Sequence, residues 1–241
     1  MTEETIHIAK QKFEQLYFSL REKEGRIYTD EQLLHLPDVK KDHPHFAEWQ
    51  LRNKSYLRLK NYLAKRVFPV KILEVGCGNG WLSHRLSFLP GACITGIDIN
   101  SIELHQAKRV FSHISNLHFI NTAIDMIGPG ESDHIIFAAS IQYFSSLKEI
   151  LDSAIQKLKP QGEIHILDTH FYNPGEIAAA KARTVDHFTN LGFPEMSSFY
   201  FHHTMDELSS FKHEIIYQPS FFQRQFNNNK NPFPWICIKN A

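Results

Sequence analysis

From Val70 onward short apolar runs alternate with longer amphipathic stretches, and before Val70 they do not. The runs at 70–75, 93–98, 117–121, 133–139 and 163–168 are rich in Ile, Val, Leu or Phe and bounded by turn residues. Such unbroken runs predict parallel strands buried on both faces. Between them, Asn100-x-x-Glu103 and Ser146-x-x-Glu149 read as capping boxes that start helices. Pro160-Gln161-Gly162 predicts a type I turn into the fifth strand. Asn173-Pro174-x-Glu176 opens a helix to about Asn190, and Thr204-x-x-Glu207 opens a shorter one. His213–Gln218 and Pro234–Lys239 alternate as two more strands, joined by the polar stretch Asn227–Asn231.

The first 69 residues keep a helical period. Ile6, Ala9, Phe13, Leu16, Tyr17 and Leu20 mark an amphipathic helix over 3–22. After a break at Gly25, a short helix near Asp30–Leu36 stops at Pro37. Phe46, Trp49, Asn53, Tyr56 and Leu63 mark a third helix that ends before Pro69. The pattern divides the chain into a helical segment, 1–69, and an α/β domain, 70–241. Tyr28, Phe46, Trp49 and Tyr56 suit either the core of a helical layer or a lid that keeps water from a pocket.

Composition narrows the classes. At 241 residues, 42% hydrophobic and 22% charged, the chain reads as an ordinary globular protein with one sizeable domain. Lys plus Arg equals Asp plus Glu at 26 each, so no basic excess favours nucleic acid as a partner. No apolar run is long enough to span a membrane, and the N-terminus is polar and acidic, so a cytoplasmic monomer or homodimer is expected. Three cysteines form no C-x-x-C pair. Among fifteen histidines, His43-Pro-His45 and His202-His203 lack the i, i+4 spacing of a helical zinc site, and no metal is expected.

The chemistry concentrates between the first two strands. Gly76, Gly78 and Gly80 follow Glu74 at the end of strand one, and Asp98 ends strand two. Alternating glycines let backbone approach a ligand, and a strand-end carboxylate can accept hydrogen bonds from both hydroxyls of a ribose. A dinucleotide loop, G-x-G-x-x-G, would need glycine at 81, where Trp stands. Leu73-Glu74-Val75-Gly76-Cys77-Gly78-Asn79-Gly80, Gly96-Ile97-Asp98-Ile99 and the Asp133–Pro160 stretch together resemble the class I, Rossmann-like S-adenosylmethionine-dependent methyltransferases. The resemblance covers roughly residues 68–170.

It implies a three-layer sheet of seven strands, mostly parallel with one antiparallel strand, and S-adenosylmethionine as cofactor. It also implies methyl transfer to a small acceptor that is not legible in the sequence. A non-catalytic cofactor-binding module and a protein or RNA methyltransferase stay open as alternatives. Residues assigned to the cofactor are Glu74, Gly76, Cys77, Gly78, Gly80, Asp98, Ile99 (on the adenine), Ala123, Ser140 and Arg52. Ala123 stands where many relatives carry an acid, with Asp125 two positions later, so a backbone group is expected to read the adenine. Gln161 stands where relatives usually have Gly. Arg52 suits the cofactor carboxylate or a solvated helix face. His170, just past strand five, is a candidate general base or a loop hydrogen-bonder. Tyr143, after strand four, is a second catalytic candidate at the same edge or packs the next helix.

Overall fold

The five apolar runs become β1 (Val70–Val75), β2 (Ala92–Asp98), β3 (Leu117–Asn121), β4 (Ser132–Ala138) and β5 (Leu158–Leu167), followed by β6 (His213–Tyr217) and β7 (Trp235–Lys239). This computed structural model describes residues 3–66, 68–219 and 231–240, so most of the Asn227–Asn231 stretch lies outside the described residues. One sheet forms, in the order β3-β2-β1-β4-β5-β7-β6. β1 to β5 pair in parallel, and β7 runs antiparallel to both neighbours.

The turn into β5 differs from the expected type I. Gln161 has φ +64°, the left-handed value that a type II turn demands at its third residue and that glycine meets without strain. β5 begins at Leu158, ahead of Gln161, and its register with β4 shifts between Ser132 and His134.

Helices α1 (Glu3–Lys23), α2 (Asp30–His35), α3 (Phe46–Leu63), α4 (Trp81–Leu86), α5 (Ser101–Val110), α6 (Leu147–Lys157) and α7 (Ile177–Leu191) fill the other layers. Thr204-x-x-Glu207 closes its capping box, yet opens only a 3-10 turn over Met205–Ser210. On one face of the sheet, Leu33, Leu59 and Leu63 pack with Trp81, Leu86, Ile72 and Ile94. Tyr28, Trp49 and Tyr56 belong to this core; the Trp49 indole donates to the Tyr28 hydroxyl at 2.8 Å and stands edge-on to Trp81. On the opposite face α6 lays Ile150, Leu151 and Ala154 against Ile135, Phe137, Ile164 and Ile166. Phe13, Leu16, Tyr17 and Leu20 of α1 go elsewhere, packing with Tyr143, Phe188, Met196 and Tyr200 beyond the carboxyl ends of the strands.

Where β4 pairs with β5, His134, Glu163 and His165 converge with their ligand-capable atoms within 4.8 Å of one another. Trp235 donates its indole N–H to His165 Nδ1 (3.3 Å), so the neutral ring carries its proton on Nε2 and turns it to His134 Nδ1 (3.3 Å). A metal would need that same Nε2 lone pair, so the arrangement is a hydrogen-bonded proton chain. Arg66 clamps Glu163 through both carboxylate oxygens at 2.9 Å. Burial, then the His165 ring beside it, lowers His134 to about 4.

A histidine depressed on folding contributes stability that is full above about 6.5, its unfolded value, and is lost as pH falls through about 4. His134→Asn, which keeps an acceptor near the Nδ1 position, should therefore flatten the stability loss between pH 7 and pH 5 by on the order of 2 kcal/mol. Urea midpoints at the two pH values measure it, and parallel slopes in variant and wild type would refute it.

Candidate active site

Two cavities open along the carboxyl ends of the strands, and they share Ala139 and Tyr143. The larger holds about 630 Å³ and is lined by Gly76, Gly78, the Asp98–Asn100 turn, Ala123 and Ser140. Phe13 and Tyr17 of α1 reach the same space. Gly76 has φ +72°, and a Cβ there would stand 2.6 Å from Ser140 Cβ. Ser140 Oγ donates to the Val75 carbonyl at 2.6 Å, which locks the two strand ends together. Gly80 meets a different need, since a Cβ there would stand 2.4 Å from the Phe119 ring.

Asp98 organises the loop. Its two oxygens accept from the Gly78 and Asn100 amides, each at 2.7 Å, which leaves further lone pairs for a ligand. Burial raises its pKa against the pull of those amides. Because Asp98 takes the Asn100 N–H, Glu103 cannot complete the expected capping box. Asn100 still caps α5 through Oδ1, while the Glu103 carboxylate lies beside Gly78. Ser146 likewise caps α6 without a reciprocal bond, and Glu149 lines the larger cavity. Asn100 Nδ2 is a buried donor with no partner in a side chain that lines this cavity.

Glu74 lies beneath the loop, fully buried, accepting from Ser83 Oγ at 2.5 Å. Burial lifts it to about 8, and burial with the nearby Asp98 charge lifts Glu103 to about 7. Carboxyl groups crowded this way suit a ligand that brings hydroxyls and positive charge, which would restore them to anions. Glu14 of α1 adds another, accepting from both the amide and the hydroxyl of Ser101 at the start of α5.

The smaller cavity, about 340 Å³, lies between the ends of β4 and β5 and the helices α1 and α7. Arg21, Arg52, Asp168, His170 and Arg183 line it. Ala139 and Asp168, neither of them glycine, hold φ of +53° and +55° at the ends of β4 and β5. Such strain, roughly 1–3 kcal/mol per residue, concentrates at ligand edges. Asp168 accepts from Ser55 Oγ at 2.5 Å, and burial raises its pKa against the nearby Arg52 charge. His170 is exposed, its ring 4.6 Å from that of Phe233. Tyr143 accepts a hydrogen bond from Arg21 at 3.3 Å.

The structure thus brings Gly76, Gly78, Asp98, Ile99, Ala123, Ser140 and Tyr143 around the larger cavity. Arg52 and His170 face the smaller one, and Glu74, Cys77 and Gly80 line neither. The Cys77 side chain is buried, its sulfur 2.9 Å from where a Cβ on Gly96 would be. Asp125 lines the larger cavity, and its carboxylate accepts from Ser153 at 2.7 Å. Sequence reasoning missed Glu14, Asn100, Glu103 and Asp168. Of these only Asp168 carried a signal, its place at a strand's carboxyl end.

Residues 69–218, more than half of the chain, match the family model described as a methyltransferase domain. The chain belongs to that family. Its seven-stranded sheet and glycine loop bear out the class I resemblance. Malonyl-[acyl-carrier protein] O-methyltransferase of Priestia megaterium is 30% identical over 110 residues, 44% of this chain and 40% of the relative. A tRNA U34 carboxymethyltransferase of Desulfotalea psychrophila is 31% identical over 137 residues, 54% of this chain and 41% of the relative. The chain therefore spans about two fifths of the length of these relatives. Among solved structures, the CurJ carbon methyltransferase superposes with a TM-score of 0.62 at 17% identity, over 98% of this chain and 70% of that one. Geranyl diphosphate C-methyltransferase from Streptomyces coelicolor, solved with S-adenosyl-L-homocysteine, gives 0.59 at 13% identity, over 84% of this chain and 83% of that one. At these identities the likeness is one of fold. No helix among the described residues is long and apolar enough to cross a membrane.

Proposed function

We propose that this protein is a cytoplasmic enzyme that moves the methyl group of S-adenosylmethionine to a small organic acceptor. Asp98 carries the reading. It sits on the floor of the larger cavity with lone pairs left over, beside the partnerless Asn100 Nδ2 donor. A ribose with two vicinal hydroxyls fits that pair of groups. Ile99 and Ala123 then flank the adenine, Gly76, Gly78 and Ser140 border the methionine portion, and Arg52 meets its carboxylate.

The cofactor supplies an electrophilic methyl on a sulfonium, which is already a good leaving group. The chain's task is to hold the acceptor in line with that methyl and exclude water. The junction at Ala139 and Tyr143 is where the two cavities meet. The lid is α1, with Phe13 and Tyr17 over the larger cavity and Glu14 tied to Ser101, while Tyr28, Trp49 and Tyr56 belong to the core on the sheet face. A cavity of about 340 Å³ and a balanced net charge favour a small acceptor over nucleic acid. Nothing in this arrangement requires a second subunit.

Calorimetric titration with S-adenosylhomocysteine, followed by labelled methyl transfer to small acceptors, tests the reading. Absence of binding would end it, and binding without transfer across acceptor classes would make the protein a cofactor-binding module. Because the sulfonium is already a good leaving group and His170 stands exposed beside Phe233, His170→Asn should change kcat by less than about tenfold and leave the pH profile intact. A loss of about 10²–10⁴ with a flattened acid limb would make His170 a base after all.

A further inference from the structure

The smaller cavity has more cations than its acids can neutralise. Arg21 pairs with Glu24 at 2.9 Å, Arg26 bridges Glu24 (3.0 Å) and Glu48 (2.6 Å), and Arg52 pairs with Glu48 at 2.9 Å. Three guanidiniums thus share two carboxylates. Although burial pushes Glu48 up, Arg52 and Arg26 hold it at about 2, so it is already committed to them. His187 adds a ring nitrogen 3.8 Å from Glu24. The other lining acid, Asp168, lies near Arg52 and accepts from Ser55 and Asn231, so the lining itself sets three guanidiniums, Arg21, Arg52 and Arg183, against two carboxylates, Glu24 and Asp168.

Arg183 has no ion-pair or hydrogen-bond partner among the described residues, and it lines this cavity from an exposed position. Ala180, Arg183, Thr184 and His187 follow i, i+3, i+4, i+7 spacing, so α7 turns one face with a cation at its middle toward the cavity. Phe188, Tyr200 and Phe233 supply apolar wall.

We propose that the acceptor carries an anionic oxygen group, a carboxylate or a phosphate, which docks on Arg183 at the cavity mouth while the rest of the molecule reaches toward Ala139 and Tyr143. This rests on the reading of the smaller cavity as the acceptor site. The surplus survives cofactor binding: one cofactor carboxylate on Arg52 leaves Arg183 still unmatched. A planar guanidinium suits both anions, because it offers paired N–H donors to two oxygens at once.

The test uses the full chain and three matched probes, hexanoate, hexyl phosphate and hexanamide, followed by ligand-observed NMR with S-adenosylhomocysteine present and absent. A separate calorimetric titration with S-adenosylhomocysteine reports a failed cofactor site independently of a failed anion site. One or both anions should bind at least fivefold tighter than the amide, and the tighter anion names the group. Arg183→Gln should weaken the anions about tenfold while leaving hexanamide and S-adenosylhomocysteine unchanged, and Arg183→Lys should retain most of the affinity. Equal binding of anions and amide, no anion binding at millimolar concentration, or anion affinity indifferent to Arg183→Gln would overturn the proposal.

Discussion

Asp98→Ala is expected to weaken S-adenosylhomocysteine binding at least tenfold in calorimetric titration. The carboxylate accepts from the Gly78 and Asn100 amides, so the substitution removes a ligand contact and leaves two loop donors without their partner. A charge-assisted hydrogen bond in a partly buried site is worth roughly 1.5–3 kcal/mol, which corresponds to about 10- to 150-fold in affinity. Asp98→Asn keeps an acceptor oxygen for one amide and should fall between the two. Alanine and wild type binding with the same affinity would remove the ribose role from Asp98 and, with it, the main support for the cofactor reading.

Gly76→Ala should cost about 2–5 kcal/mol of stability and abolish cofactor binding together. About 1–2 kcal/mol comes from placing a side chain at left-handed φ, and about 1–3 kcal/mol from overpacking. The overpacking has no easy relief, because the atom met at 2.6 Å is Ser140 Cβ, held directly on the backbone of the β4 end. Displacing Ser140 also breaks its bond to the Val75 carbonyl and moves a wall of the larger cavity. Gly192→Ala is the control, since Gly192 has φ +87° with nothing within 4 Å of an added Cβ. It should lose only the conformational part, about 1–2 kcal/mol, and keep full cofactor affinity. Similar midpoints for both variants in urea would show that close approach at Gly76 carries no weight.

Glu103 shows where local reading stops. Asn100-x-x-Glu103 has the spacing of a capping box, and a capping box needs a free N–H on Asn100. Asp98 takes that N–H, so Glu103 ends up beside Gly78 instead. The same limit explains the aromatics. Helical period placed Phe13, Tyr17, Trp49 and Tyr56 on apolar faces alike, but it carries no information about which surface each face meets. Trp49 and Tyr56 meet Trp81 under the sheet face, and Phe13 and Tyr17 meet Tyr143 over the strand ends.

The sequence by itself determined the strands, the order of glycines and acids around the loop, and the edge of the sheet along which the cavities open. These follow from short-range causes: apolar runs that must be buried on both faces, glycines where φ is positive, and a carboxylate ending a strand. The turn at Gln161 escaped because a non-glycine residue there takes a left-handed conformation, where the β4–β5 register shifts. Only the tertiary structure decided that α1 borders the larger cavity, that Arg52 faces the smaller chamber, and that Asp168 lies between Ser55 and Asn231. The two Asp168 contacts join residues 113 and 63 positions apart. Their formation depends on how helices pack across the sheet ends, which no local pattern of polar and apolar residues encodes.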